Sequence, residues 1–302
     1  MKSNSEQTDQ IVNGSFEAVD ATSDQALDYY SENGWLYLKN LFDLKEGLFP
    51  KVHDEINSLI RIQRGKQGYP VEERPFSKTI PFIDRNRFLQ VAQSKRADAG
   101  DIYRACRHLP SLHSISLQDN VLQIAKKLMR TDLVCHLGYA AVRIDIPGEE
   151  KYLFPWHQDY PYTQGSVDGV VIWIPFFDVP LGHGHLKLIP QSHKEGIREV
   201  MMVDPENKNK NGAHAMSLPG QDKLENSFAL EIPVQQGDAL VFSTLLLHRS
   251  TPSKASLPRF TSQLRYANFR NADSIKRGWP NGTIVGNSFE KDHPEFVLKR
   301  ES

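Results

Sequence analysis

The sequence predicts an α+β fold in which helices come first and a run of short strands follows. Two observations carry this reading. Apolar residues recur at helical spacing as far as Arg130 and alternate with polar ones from there on. Clusters of Gly, Pro, Asn and Asp then divide the second half into short pieces. Helices gathered ahead of strands pack on one side of a β-sandwich or barrel.

Residues 1–22 are polar and predict a flexible N-terminal tail. Ser23 caps a helix to about Glu32, with Ala26, Leu27 and Tyr30 on one face; Gly34 stops it, and Trp35 to Lys39 read as a strand. A second helix spans about 45–61 on the stripe Leu48, Phe49, Val52, Ile56, Leu59 and Ile60. The charged stretch 64–98, with Pro70, Pro75 and Pro81, predicts irregular chain. A helix over 117–129 is expected to take Ser116 as its cap. Strands are expected over 133–145, 169–177, 185–189, 229–232, 238–243 and 259–269. Together, residues 23–270 read as one domain, broken by a polar, lid-like insertion at about 198–228. A charged extension, 271–302, carries Trp279-Pro280 as a docking point against the body or a second copy in a homo-oligomer.

A net charge of −1 gives no electrostatic reason to expect nucleic acid or an anionic membrane as partner. Two cysteines, Cys106 and Cys135, make neither a zinc ribbon nor a disulfide framework. The polar start has no export signal, and no apolar stretch is long enough to cross a bilayer. These features predict a cytoplasmic protein whose partner is a small molecule.

The chemistry concentrates in three places. His157 and Asp159 stand two apart in Pro155-Trp-His-Gln-Asp-Tyr-Pro161, so extended backbone turns both side chains the same way. His248 ends the apolar run that begins at Ala239, and Arg259 follows eleven positions later. A bare His-x-Asp is common, and a lone histidine is more often structural than a ligand. Two imidazoles and one carboxylate can nevertheless fill one face of an octahedral iron(II) and leave three positions open. An arginine in the same cavity could grip the far carboxylate of a keto acid, so an oxygenase is the leading reading. Alternation puts Arg259, Thr261, Gln263 and Arg265 on one strand face, toward solvent or toward a cavity. His183 and His185 offer a rival site, for a cupin-like binding protein or a zinc hydrolase; the simpler reading is a glycine-rich turn.

Four segments, in order, carry a resemblance. They are Tyr29 to Phe42 (YYSENGWLYLKNLF), Trp156 to Asp159 (WHQD), Gly184 to Gly196 (GHLKLIPQSHKEG), and the interval from His248 to Arg259. From about Leu27 to Phe269 the chain resembles the phytanoyl-CoA dioxygenase family of iron(II)/2-oxoglutarate oxygenases. The resemblance implies a double-stranded β-helix (jelly-roll, cupin-like) core with flanking N-terminal helices. It implies that His157, Asp159 and His248 hold iron(II) and that Arg259 binds the distal carboxylate of 2-oxoglutarate. Ser250, Trp173 and Gln263 would complete the co-substrate contacts, and His193 would be a structural histidine. The resemblance also implies O2 as the oxidant, ascorbate as a support in vitro, and succinate and CO2 as products. Gln191 stands where the family has a glycine. Related halogenases lack the carboxylate ligand, so Asp159 implies hydroxylation, or a desaturation or cyclisation begun by the same hydrogen abstraction. Arg265, Arg143, Tyr160 and Tyr162 are the residues expected to meet a small anionic substrate; for the arginines the alternative is a salt bridge with an acid such as Asp145. A catalytically silent scaffold of the same fold is the remaining alternative.

Overall fold

The computed structural model describes residues 4–70, 82–138, 141–202, 216–282 and 288–298. Its first half holds α1 (Asn4–Asn13), β1 (Ser15–Glu17), α2 (Asp24–Asn33), β2 (Trp35–Lys39), α3 (Leu48–Lys66) and α4 (Arg85–Ser94). Helices α5 (Arg96–Cys106), α6 (Pro110–Ser116) and α7 (Asp119–Leu128) follow. Then come β3 (Val134–His136), β4 (Ala141–Asp145), the one-turn α8 (Tyr160–Thr163), β5 (Val170–Pro175), β6 (Leu186–Leu188), β7 (Met201–Met202) and β8 (Met216–Ser217). The chain continues through α9 (Gln221–Glu225), β9 (Leu230–Ile232), β10 (Ala239–Ser243), β11 (His248–Ser250), β12 (Arg259–Asn268), α10 (Ala272–Lys276) and α11 (Phe289–Asp292).

Two sheets face each other. The larger runs β1-β2-β10-β5-β12-β3, and β4 pairs with the first half of β12 where β3 pairs with the second. The smaller runs β11-β6-β9. The central strands β2, β10 and β5 of the larger sheet are buried on both faces, which explains their near-continuous apolar runs. Leu36, Leu38, Val170, Ile172, Ile174, Val241, Phe260 and Leu264 pack against the layer of helices. The alternate residues Trp35, Tyr37, Val171, Trp173, Leu240 and Phe242 turn inward onto Leu186, Leu188, Leu230 and Ile232 of the smaller sheet. This is the jelly-roll core with helices on one side.

Several local details follow the expected physics. The Ser23 side chain accepts from Ala26 N, and Gly34 closes α2 in the left-handed region at φ 80°. A Cβ on Gly34 would also lie 2.4 Å from His193 Nδ1, so the turn needs glycine twice over. Gln191 is left-handed as well, at φ 67°, and it keeps the geometry that a glycine would adopt without strain.

Other expectations need correction. Residues 4–22 are not a free tail: β1 adds a parallel edge strand to β2, and Ile11 and Phe16 pack on the core. The stretch 64–98 is largely helical where it is described, since α4 and the start of α5 fall in it, and α4 buries Phe88, Val91 and Ala92 under a charged exterior that hides their spacing. Residues 71–81 lie outside the described residues. Ser116 ends α6, where its hydroxyl donates to the His113 carbonyl, and does not cap α7; Leu117 is exposed. The strand expected over 133–145 is two strands, β3 and β4, with 139–140 outside the described residues. Of the insertion at 198–228, residues 203–215 lie outside the described set, while β7, β8 and α9 flank them. The extension after 270 is partly helical. Phe289 and Val297 join Tyr160, Met216 and Leu218 in a third apolar cluster, and Trp279 docks its indole N–H on the Phe269 carbonyl at 2.9 Å.

Candidate active site

His157 and His248 are joined through their backbones. Each amide donates to the other's carbonyl, at 3.0 and 3.1 Å, so the segment before α8 lies as an extra rung beside β11. Both imidazoles are oriented from behind: His157 Nδ1 lies 2.8 Å from the Pro155 carbonyl and His248 Nδ1 lies 3.0 Å from that of Leu246. A carbonyl accepts only, so Nδ1 carries a proton on each ring and Nε2 is the nitrogen left to face the site. Both Nε2 atoms face Asp159 Oδ1, at 3.4 and 3.7 Å. The three side chains are buried, and one ligand atom from each lies within 4.8 Å of the others. Among the described residues no other His, Cys, Asp and Glu side chains gather this way.

Gln158, between the two ligand candidates, points the opposite way. Its amide donates to the carbonyls of Gly196 and Leu245 at 2.8 Å each and accepts from Arg198 N at 2.9 Å. The same alternation throws Tyr160 out of the site. Its hydroxyl receives a hydrogen bond from Arg277 at 2.7 Å and sits 2.9 Å from His293 Nε2, so it anchors the C-terminal extension and is not a pocket wall.

Asp159 is charged despite its burial. Desolvation acts to raise its carboxyl, but the Arg265 guanidinium, with His157 and His248 beside it, holds it far below the usual range. Arg265 Nε donates to Asp159 Oδ2 at 2.7 Å. That contact revises the expectation that Arg265 meets substrate: it is committed to the carboxylate's outer oxygen and leaves Oδ1 to face the imidazoles. Burial, with His157 nearby, pushes the His248 imidazole down to about 3, so it is neutral at physiological pH as a ligand must be.

Arg143 is likewise occupied. It donates to Asp145 Oδ1 at 2.8 Å and to the Tyr152 carbonyl at 2.7 Å, the salt bridge that the sequence left open. Asp145 takes Arg259 on its other oxygen, Nε at 3.0 Å. Burial works against the Asp145 charge, but the two guanidiniums, Arg259 foremost, hold its carboxyl low. One acid between two arginines leaves a positive charge over.

A cavity of about 350 Å³ opens onto the three ligand atoms, walled by Trp173, Ser250, Gln263, Tyr162, Phe154, Phe242, Leu137, Leu186, Arg143 and Arg265. Tyr162 stands in this wall, its hydroxyl donating to the Met216 carbonyl at 2.8 Å. Arg259 is not part of this wall. It lies behind Trp173, its guanidinium 5.8 Å from the indole ring, in a crevice with Asp145, Gly184 and Thr251. Its Nη1 is buried without a hydrogen-bond partner among the described residues, and so is the hydroxyl of Thr261, two residues on along the same face of β12. Sequence reasoning placed Thr261 on that face but gave it no role; its alternation with Arg259 was the available signal. Unpartnered buried polar atoms are costly, about 1–3 kcal/mol each, and here they suit a carboxylate.

The rival pair does not assemble. His183 is exposed, while His185 is buried with Nδ1 accepting from Gly182 N at 3.0 Å and Nε2 3.5 Å from Glu231. Burial lowers the His185 imidazole below its ordinary value. Among the described residues His183, His185 and Glu231 do not bring their ligand atoms together at one point.

Comparison with known proteins agrees with this geometry. The chain is 30% identical over 230 residues to 1-deoxypentalenic acid 11-beta-hydroxylase of Streptomyces arenae, covering 76% of this chain and 75% of that protein. It is 20% identical over 228 residues to peroxisomal phytanoyl-CoA dioxygenase of Homo sapiens, covering 75% of this chain and 62% of that one. The fold matches the non-heme, alpha-ketoglutarate-dependent carbocyclase SnoK from nogalamycin biosynthesis, with a TM-score of 0.52 and 13% identity over 91% of this chain and 98% of that one. It also matches EctD from S. alaskensis, solved with bound Fe, at a TM-score of 0.51 and 13% identity over 92% and 82% of the two chains. No described helix is long and apolar enough to cross a membrane. The family profile for phytanoyl-CoA dioxygenase (PhyH) matches residues 30–261, and the chain therefore belongs to that family of iron(II)/2-oxoglutarate-dependent oxygenases.

Proposed function

We propose that this chain hydroxylates an unactivated C–H bond of a small carboxylated metabolite, with iron(II) held by His157, Asp159 and His248. The observation that carries the reading is the convergence of three buried ligand atoms on the floor of a cavity. When bound there, iron(II) with 2-oxoglutarate and O2 supplies the oxidant, and succinate and CO2 are released.

The chain's own residues set the geometry. Carbonyls of Pro155 and Leu246 fix both ring tautomers. Arg265 holds Asp159 Oδ2, which leaves Oδ1, facing the two imidazoles, as the oxygen that would hold iron(II). Arg259 Nη1 and the Thr261 hydroxyl take the far carboxylate of 2-oxoglutarate, whose charge offsets the surplus on the Arg143–Asp145–Arg259 cluster. Ser250, Gln263 and Trp173 line the co-substrate's side of the cavity; Tyr162, Phe154, Phe242 and Leu137 give the substrate an apolar, aromatic wall that keeps water out. A carboxylic-acid substrate is supported by the named substrate of the 30%-identical relative, and the presence of Asp159 favours hydroxylation over halide transfer.

The test is succinate release from 2-oxoglutarate with iron(II), ascorbate and O2, coupled to a mass-spectrometric screen of carboxylated metabolites for the gain of one oxygen atom. His157→Ala and His248→Ala should abolish iron binding and succinate release, while His183→Ala should keep both. Full activity in the first two variants would refute the ligand set.

A further inference from the structure

The extension after β12 closes on the segment that carries Asp159. Asp159 stands at the start of α8, and its carbonyl accepts from the amides of Tyr162 and Thr163 at 3.0 and 3.1 Å. The Thr163 hydroxyl donates to the same oxygen at 3.1 Å. A helix of one turn makes too few bonds of its own to hold a shape. What packs over α8 therefore governs where Asp159 sits.

The extension reaches α8 at three points. Residues 280–282 run antiparallel to 163–165: Gly282 N donates to the Thr163 carbonyl at 3.0 Å, and Gly165 N donates to that of Pro280 at 2.9 Å. The two backbones meet so closely that a Cβ on Gly282 would lie 2.1 Å from the Tyr162 carbonyl oxygen. Gly282 also lines the metal cavity. At the second point the Gln164 amide donates to Asp292 at 2.7 Å and accepts from Phe289 N at 3.1 Å, which ties it to both ends of α11. At the third, the fully buried Tyr160 hydroxyl receives Arg277 at 2.7 Å and meets His293 Nε2 at 2.9 Å. Those two partners are held in turn, Arg277 by Asp273 at 2.8 Å and His293 Nδ1 by Glu295 at 3.1 Å.

Gln164 is the independent clue. Its φ of 55° is left-handed, a conformation that a non-glycine residue keeps only where its surroundings fix it. The extension supplies the side-chain partners and the backbone bonds on either side that do so. A tail that needed only a seat already has an apolar one, where Phe289 meets Met216 and Leu218. Buried hydroxyl, imidazole and guanidinium groups add direction to that seat, because each must be met at one geometry.

We propose that Arg277 and His293 are positioning residues of the oxygenase: acting through Tyr160 they fix α8, and with it the Asp159 carboxylate, while Gly282 completes the cavity wall. The part that concerns iron(II) rests on the oxygenase reading. The ordering of residues 160–165 does not.

The experiment compares the full chain with its Tyr160→Phe, Gly282→Ala, Arg277→Ala and Arg277→Lys variants, each well below its melting temperature. In the metal-free chain, hydrogen exchange read by mass spectrometry should be about tenfold faster over 160–165 in Tyr160→Phe and Gly282→Ala, with β5 and β12 unchanged. Anaerobic titration with iron(II) and 2-oxoglutarate against a chelator should show an affinity about fivefold lower, with a shifted visible charge-transfer band. Arg277→Lys keeps a cation between Asp273 and Tyr160 and should recover most of what Arg277→Ala loses. Arg270→Gln, in an exposed pair with Asp132 at the start of the extension, should match wild type. Tyr160→Phe removes a hydroxyl and Gly282→Ala opens the backbone seam, so if one fails to fold the other decides. Wild-type exchange in the variants that fold, or faster exchange with iron(II) affinity and band unmoved, overturns the proposal; so does an equal loss in Arg270→Gln. A wild-type chain that binds no iron(II) with 2-oxoglutarate would instead refute the oxygenase reading, and the metal-free exchange rates would still read the hold of the extension on 160–165.

Discussion

Arg265 shows how a single contact reassigns a residue. A guanidinium on the inner face of a strand reads equally well as a substrate anchor or as a partner for a buried acid, and its position opposite Asp159 decides the matter. Replacing it with glutamine leaves Asp159 Oδ2 buried without its cation. Iron(II) affinity should fall about 10–100-fold, as when other partners of metal ligands are lost; a chelator-competition titration that finds wild-type affinity would contradict the assignment. Thr261→Ala removes a hydroxyl that has no partner among the described residues. It should leave the melting temperature unchanged or higher and weaken 2-oxoglutarate binding about fivefold, measured by calorimetry. His185 gives a pH signature away from the metal ligands. Burial depresses its folded pKa below the ordinary 6.5. Its contribution to stability is therefore complete above about pH 6.5 and is lost as pH falls toward the lower folded value. A His185→Gln chain should lose less melting temperature than wild type between about pH 7 and pH 5; parallel curves would show that His185 is not the group responsible.

At the scale of elements, β12 explains why the site was largely legible and where legibility stopped. Its alternation was plain: Arg259, Thr261, Gln263 and Arg265 one way, Phe260, Leu264 and Tyr266 the other. The direction of each face depended on what covered it, and the structure puts helices α4 and α6 over the aromatic face, Phe88 meeting Phe260 edge-on at 5.1 Å and Tyr266 donating to the Ser116 carbonyl. Phe260→Ala should cost about 3–5 kcal/mol by chemical denaturation, against almost nothing for its neighbour Thr261. The turn at Gln191 is the converse case. A left-handed non-glycine residue carries about 1 kcal/mol of strain, so Gln191→Gly should stabilise the chain by roughly that amount; a loss of stability would mean that the Gln191 side chain does something its backbone does not reveal. Helices α2 and α3 announced themselves through caps and stripes. Helices α4 and α5 did not, because charged exposed residues dominate their sequence and only a few positions face the core.

Across the whole molecule, the jelly roll brings together residues that the sequence separates widely. The pair at His157 and Asp159 could be seen locally. That His248 pairs with it through reciprocal backbone hydrogen bonds is a property of the fold, as is the sharing of Asp145 by Arg143 and Arg259. Tyr160 was misread because its neighbour's role was extended to it, although the alternation that unites His157 with Asp159 already turned it away. The flanks of the polar insertion bear on the site from outside. Trp156, next to the first histidine, exchanges hydrogen bonds with Gln221 and donates to Glu225, so α9 braces the metal-facing segment. The account stands on one feature of the assembled chain, the meeting of three ligand atoms at a single point. Anomalous diffraction at the iron edge, from crystals grown anaerobically with iron(II) and 2-oxoglutarate, measures it directly. The result expected is one iron peak bonded to Nε2 of His157, Nε2 of His248 and one oxygen of Asp159, with the co-substrate's far carboxylate on Arg259. An iron peak beside His183 and His185, or none within reach of His248, would contradict it.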